Sequence, residues 1–388
     1  MRVCHIATGD QWAGAEVQLA TVMRGLAARG EFDLAAIVLH EGKLADELRA
    51  VGLPVFLLEE RRFNAVGLVS QIRRVLRENN ISILHTHKRK DHILGSLAAR
   101  MAGVPHVVRT IHGLEDTHLR YRDPGANGSL ILEAIKGYKT WCVNRLDGLV
   151  SRTTTRALIA VSHDIAKRVN ASHLQCQHTE VVHNGIEWEA LSKSSERAGI
   201  RSELGVGSDV LLVGTAGRLV PIKGVDVFLE AAKAIAGVMN NVKFLIIGDG
   251  PLRKRLEETA SVLGIENKVI FTGFRDDIHD LLRLMDVFVM TSFYEGIPLV
   301  VLEAMALGKP VVLSHAGGHV EILEDIGREY LVPPGDSARF AQTCLGLLSS
   351  NEERTRVGLV NTHRVRNHFS GKRMTDQMAQ IYKRLLHH

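Results

Sequence analysis

A chain of 388 residues with 45% hydrophobic content and 35 glycines is too long for one ordinary core and suits two α/β domains of similar size. Its apolar stretches are broken at short intervals by Glu, Gly or Lys, which excludes a helical membrane span, and the start MRVCHIATGD lacks the form of a secretory signal, so a cytoplasmic location is expected. The formal net charge of +5 is uneven: residues 1–185 hold 24 Lys/Arg against 18 Asp/Glu, and residues 186–388 hold 24 against 25, so an anion is drawn to the first half.

In chain order, runs rich in Val, Ile and Leu without clean alternation predict strands covered on both faces, as in parallel sheets. In the first half they are RVCHIATG, FDLAAIVLHEG, PVFLLE, SILHTH, HVVRTIHG, ALIAVS and TEVVHNG; in the second, VLLVGTAG, VKFLIIGDG, KVIFTG, DVFVMTS and PVVLSHAGG. Helical stretches lie between them, among them EVQLATVMRGLAARG, NAVGLVSQIRRVLRENN, DVFLEAAKAIAGVM and PLRKRLEETASVLG. The alternation predicts a doubly wound α/β arrangement built twice. The polar stretch 186–208 marks a hinge, giving domains 1–187 and 188–365, and the amphipathic segment of about 366–388 could pack back on the first domain.

The basic clusters Arg61-Arg62, Arg73-Arg74 and Lys88-Arg89-Lys90 could face solvent, an anionic substrate or an anionic membrane. Nucleic acid is not expected, because aromatic residues are only 5% and none alternates with these charges. The cysteines Cys4, Cys142, Cys176 and Cys344 lie far apart with no CxxC pair, which argues against a disulfide framework or a thiolate metal site. His85, His87 and His92 are close in sequence, but no carboxylate or thiolate stands ready to complete a metal shell.

Doubly wound sheets bind ligands at the carboxyl ends of their strands, where this chain places Gly14, His85, His112, Ser162, Asn184, Gly217-Arg218, Gly248-Asp249-Gly250, Gly273 and residues 292–298. In GTAGRLVPIKG, residues 214–224, the glycines allow close approach to the backbone while Arg218 and Lys223 supply two cations, a combination suited to a diphosphate. In SFYEGIPLVVLEAMALGKPVV, residues 292–312, Pro298 is expected at the first helical position, leaving the amides of Leu299 and Val300 free for phosphate oxygens. Glu295 and Glu303 flank that helix start, and carboxylates suit the hydroxyls of a ribose and a hexose. A glycosidase acid and base pair is the alternative for two such glutamates, but eight residues of separation fix no carboxylate distance and the nearby cations favour an anionic ligand.

These motifs together resemble the retaining, nucleotide-sugar-dependent glycosyltransferases of the GT-B fold, family-four type. WAGAEVQLATVMRGLAARG, RTIHG, VSHDIAKRV, VVHNGIEWE, GRLVPIKG, FLIIGDGPLRKRL, VIFTGF, the 292–312 stretch and the GG of HAGGHVEIL follow in the family's order over almost the whole chain. Ala13 stands where many members have a first glycine. The resemblance implies two Rossmann-like domains facing each other across a cleft. It implies that Arg218 and Lys223 hold the donor diphosphate, with amides near Gly14 covering it. Glu303 would bind the ribose. Glu295 with Gly296, Ile297, Pro298 and Leu299 would bind the hexose and its phosphate, and His112 would sit against the transferred sugar. The base, most commonly uridine in such enzymes, would lie near Gly248 and the backbone of Gly273, Phe274 and Arg275.

The expected activity is retaining, metal-independent transfer of a hexosyl unit to a glycan or lipid-diphosphate-linked acceptor, with no cofactor and with possible contact to an anionic membrane face. The loop 113–129 is expected to touch the acceptor. An epimerase or hydrolase on the same fold is the nearest alternative. A nicotinamide-dependent oxidoreductase is disfavoured, because GDGPLR fails the G-x-G-x-x-G pattern at its sixth position.

Overall fold

The computed structural model describes residues 1–386 except 11, 114–129, 173, 175, 177 and 194–198; most of the expected acceptor loop therefore lies outside the described residues. The chain divides into two compact units, Met1–Asn184 with Gly371–His388, and Gly185–Ser370. These limits fall a few residues from the expected 187 and 365. The difference at the second crossing has a simple cause: Asn351–His368 is one unbroken helix of the second unit, and Ile186 N donates to Phe369 O at 3.0 Å beside it.

The first unit holds seven parallel strands, β1 (Arg2–Ala7), β2 (Asp33–Val38), β3 (Val55–Leu57), β4 (Ile83–Thr86), β5 (His106–Ile111), β6 (Thr155–Ala160) and β7 (Thr179–Val181), in the order β3-β2-β1-β4-β5-β6-β7. Strand period two sorts alternate residues onto opposite faces. Val3, Ile83 and Val108 thus join a core with Leu19, Met23 and Leu26 of the helix Gly14–Arg29 and with Met374, Met378 and Tyr382 of the helix Gly371–Leu386. Cys4, Ile6, Leu84 and Val107 face the other core, under Ile72, Leu76, Ala98 and Ala99 of the helices Ala65–Glu78 and Arg89–Ala102. Met374, Met378, Ile381 and Tyr382 recur at helical spacing, so the last helix presents one apolar stripe and packs on the first unit.

The second unit holds six parallel strands, β8 (Leu211–Ala216), β9 (Val242–Ile247), β10 (Val269–Gly273), β11 (Val287–Met290), β12 (Val311–Ser314) and β13 (Leu331–Val332), in the order β10-β9-β8-β11-β12-β13. The two-residue β13 carries no apolar run long enough to read from sequence. Counted from each unit's first strand, the two sheets share one winding order.

Candidate active site

In the second unit the exits of β8, β9, β10 and β11 are laced together by backbone contacts. Gly248 has φ +124°, and a Cβ there would lie 2.1 Å from Gly217 O, so glycine is required both by conformation and by space. Gly248 N donates to Gly273 O at 2.9 Å, which joins Gly217, Gly248 and Gly273 in one patch. Phe293 N donates to Ile222 O at 2.8 Å and Thr291 Oγ1 to Gly224 O at 2.8 Å, fixing the short 3-10 turn Pro221–Lys223 beside the exit of β11.

That lacing sets the charges. Lys223 Nζ lies 2.5 Å from Glu295 Oε1, both largely buried. Burial opposes ionisation of Glu295, yet the Lys223 ammonium outweighs it and holds the carboxyl below its ordinary value. Arg218 is exposed and makes no ion pair or side-chain hydrogen bond among the described residues. Arg275, by contrast, is taken up by Asp277 at 2.7 Å and Glu203 at 2.7 Å, so its side chain has its charge matched; Phe274 beside it is 65% exposed. Glu303 faces His279 at 3.6 Å. The two glutamates of the motif therefore have separate partners.

The helix start differs from expectation by one position. Pro298 is the cap in extended conformation, and the helix runs Leu299–Ala306. The first bond inside it runs from Val301 N to Pro298 O, so the amides of Leu299 and Val300 precede the hydrogen-bonded ladder as anion-binding groups would. Gly296 and Ile297 are held from below: Gly318 N donates to Glu295 O at 3.1 Å, and a Cβ on Gly318 would lie 1.7 Å from Gly296 O.

His319 was not singled out by any spacing. It is fully buried, its Nδ1 donates to Ser314 O at 3.0 Å, and its Nε2 has no hydrogen-bond partner among the described residues. Burial pushes it down to about 4.

In the first unit Gly14 opens the helix Gly14–Arg29, and a Cβ there would meet nothing within 4 Å. The helix start is open space, and Ala13 is the cap that precedes it. Lys88, from a basic cluster, spans Glu16 at 2.7 Å and Asp10 at 3.0 Å; Lys90 pairs with Glu60 and Arg62 with Glu59. Three cations of the basic clusters, Arg62, Lys88 and Lys90, are thus paired with carboxylates of the same unit.

His112 follows β5 and its Nε2 lies 3.1 Å from His87 Nδ1. Of the three histidines close in sequence, His85 and His87 lie together and His5 joins them, while His92 turns to Thr86 at 3.0 Å and Ser151 at 3.2 Å. Registers explain this, since His5 pairs with His85 across β1 and β4 and period two keeps His87 on the same face.

Residues 12–189 match the family model described as Glycosyltransferase Family 4, and residues 210–350 match the one described as Glycosyl transferases group 1. The UDP-Gal:alpha-D-GlcNAc-diphosphoundecaprenol alpha-1,3-galactosyltransferase of Escherichia coli is 28% identical over 320 residues, covering 80% of this chain and 78% of that one. The N-acetyl-alpha-D-glucosaminyl L-malate synthase of Bacillus anthracis is 27% identical over 320 residues, covering 82% and 78%. Among solved structures, Anabaena Alr3699/HepE in complex with UDP superposes with TM-score 0.81 at 22% identity, over 99% of this chain and 100% of that one. WaaG, a glycosyltransferase involved in lipopolysaccharide biosynthesis, superposes with TM-score 0.71 at 16% identity, over 98% and 99%.

The two wound sheets are those of a GT-B glycosyltransferase. Within that class the chain belongs to the family-four type. No helix among the described residues is long and apolar enough to cross a membrane.

Proposed function

We propose that this glycosyltransferase moves a hexosyl unit from a UDP-linked sugar to a lipid-diphosphate-linked glycan, with retention of the anomeric configuration and without a metal ion. The observation that carries the donor reading is Arg218, exposed and without an ion pair among the described residues, on the loop that leads to the Lys223–Glu295 pair, together with the amides of Leu299 and Val300. Two cations and a helix start suit a diphosphate, and they supply the charge that a metal would otherwise bring to the leaving group. UDP in the Anabaena structure and the diphosphoundecaprenol-linked acceptor named for the Escherichia coli relative support the choice of substrates.

In the proposed reaction the bond from the anomeric carbon to the donor phosphate oxygen breaks, and a bond to an acceptor hydroxyl oxygen forms on the same face. The acceptor proton passes to the departing phosphate, whose charge Arg218 and Lys223 stabilise. Glu295 binds the hexose, Glu303 the ribose, and His112 the transferred sugar. The patch at Gly248 and Gly273 receives the base.

Initial rates with UDP-hexoses and a lipid-diphosphate acceptor test this. Arg218→Ala should lower kcat by about 100-fold or more, as loss of a charge-stabilising donor does elsewhere, with the larger loss in Arg218→Ala/Lys223→Ala. A chelator should leave turnover unchanged, and the product should keep the donor's anomeric configuration. Unchanged turnover in Arg218→Ala, loss of turnover on chelation, or an inverted product overturns the proposal.

A further inference from the structure

Three buried histidines of the first unit, with Tyr382 among them, form one continuous chain of hydrogen bonds that ends at the half-buried His112. Thr110 Oγ1 lies 2.7 Å from His85 Nε2, and His85 Nδ1 lies 2.5 Å from Tyr382 Oη. Tyr382 Oη lies 3.0 Å from His5 Nε2, His5 Nδ1 lies 3.0 Å from His87 Nε2, and His87 Nδ1 lies 3.1 Å from His112 Nε2. His112 Nδ1, the last atom, is buried and without a partner among the described residues. The first four side chains, Thr110, His85, Tyr382 and His5, come from β5, β4, the last helix and β1, brought together on one face of the sheet by strand register and by that helix's apolar stripe.

All four imidazoles are neutral near pH 7, because burial pushes His5 down to about 3 and His112 to about 4 and holds His85 and His87 below their ordinary range. A neutral imidazole has one N–H and one bare nitrogen, so each link dictates the next. The chain has two possible polarities, and Thr110 decides between them. Its hydroxyl is buried and has His85 Nε2 as its sole partner among the described residues. If His85 donated to Thr110, the threonine proton would be left without an acceptor, which costs about 1–3 kcal/mol for a buried group. Thr110 therefore donates. His85 then donates from Nδ1 to Tyr382, Tyr382 donates to His5 Nε2, His5 donates from Nδ1 to His87, and His87 donates from Nδ1 to His112 Nε2.

We propose that Thr110, through His85, Tyr382, His5 and His87, fixes His112 as the Nδ1–H tautomer, so that it meets the transferred sugar as a committed hydrogen-bond donor to one of its oxygens. The inference rests on the placement of His112 at the sugar proposed above. It makes Thr110 and Tyr382 positioning residues, since neither need touch the substrate. It also gives the three-histidine cluster His5, His85 and His87 an occupation that needs no metal: every nitrogen in it already has a partner.

The test is nitrogen NMR of the full-length protein labelled in histidine side chains, without ligand, with signals assigned by single His→Gln substitutions. His5, His85, His87 and His112 should all carry their proton on Nδ1. Thr110→Val removes the hydroxyl at nearly constant shape, and should convert His112 to a mixture of tautomers and lower kcat about tenfold, the effect of one lost hydrogen bond, with donor KM little changed. Thr110→Ser should restore both. An Nε2–H tautomer at His112 in the unaltered protein, or a tautomer indifferent to Thr110→Val, overturns the relay. The placement of His112 fails separately: if His112→Ala transfers sugar at the normal rate, the residue does not meet the substrate, whatever its tautomer.

Discussion

Each unit winds its first six strands in the same order, yet the two finish those strands with opposite kinds of polar chemistry. At the ends of β8 and β11 the second unit sets formal charges, Lys223 against Glu295 with Arg218 left exposed. In β1 and β4 and just past the ends of β4 and β5 the first unit sets His5, His85, His87 and His112, neutral and linked in one hydrogen-bonded chain through Tyr382. The difference teaches how a sheet end can be polar at tolerable cost. An ionised group must be paired or left in contact with water, whereas an imidazole can shed its proton and be buried if its two nitrogens find partners.

Acid should separate the units most. Burial lowers His5, His85, His87, His92 and His112 in the first unit, against His319 in the second. For these groups the unfolded chain binds protons first, so stability falls as pH drops below about 6.5. Each such histidine withdraws up to about 1.4 kcal/mol per pH unit until its folded value is reached. Asp91, raised by burial to about 6, has the opposite sign and offsets one of them. Hydrogen exchange, corrected for intrinsic rates and followed from pH 7 to 4.5, should show the first unit losing protection before the second. Simultaneous loss would remove the contrast.

Next in size is Gly248→Ala. The added methyl must overcome both a positive φ and the carbonyl of Gly217, so the second unit should lose about 3 kcal/mol, read from the midpoint of urea unfolding. A midpoint unmoved by the change would mean that the loop patch is loose.

The smallest effect on stability belongs to Gly14→Ala in the first unit. Its Cβ enters open space at a helix start, and unfolding should change by less than about 0.5 kcal/mol. A several-fold rise in donor KM in that stable variant would place a ligand against the helix start, and an unchanged KM would leave the second unit as the main holder of the diphosphate.

Much of this was legible in the chain. The apolar runs from RVCHIATG to PVVLSHAGG became strands because a strand buried on both faces must be apolar nearly throughout, whatever its neighbours. Lys223 and Glu295 stood out as charges set among glycines and apolar residues, and folding brought them together. The short β13 was not legible, since two residues give no periodicity. Neither was the engagement of Arg275, which depends on Glu203 far along the chain. His85 and His92 stand close in sequence, yet the fold sets them apart. Helix and strand periods sent them to different partners.

Composition and residue order by themselves determined two wound α/β units and glycine-rich strand exits with cations beside them, because burial, backbone freedom and helix starts act over a few neighbouring residues. Which of those cations is neutralised, and which histidines touch, was decided only when distant strands came into register and the last helix returned to the first sheet. Hydrogen bonds and ion pairs act over a few ångströms, and only the folded chain sets distances on that scale between residues hundreds of positions apart, as between His5 and Tyr382.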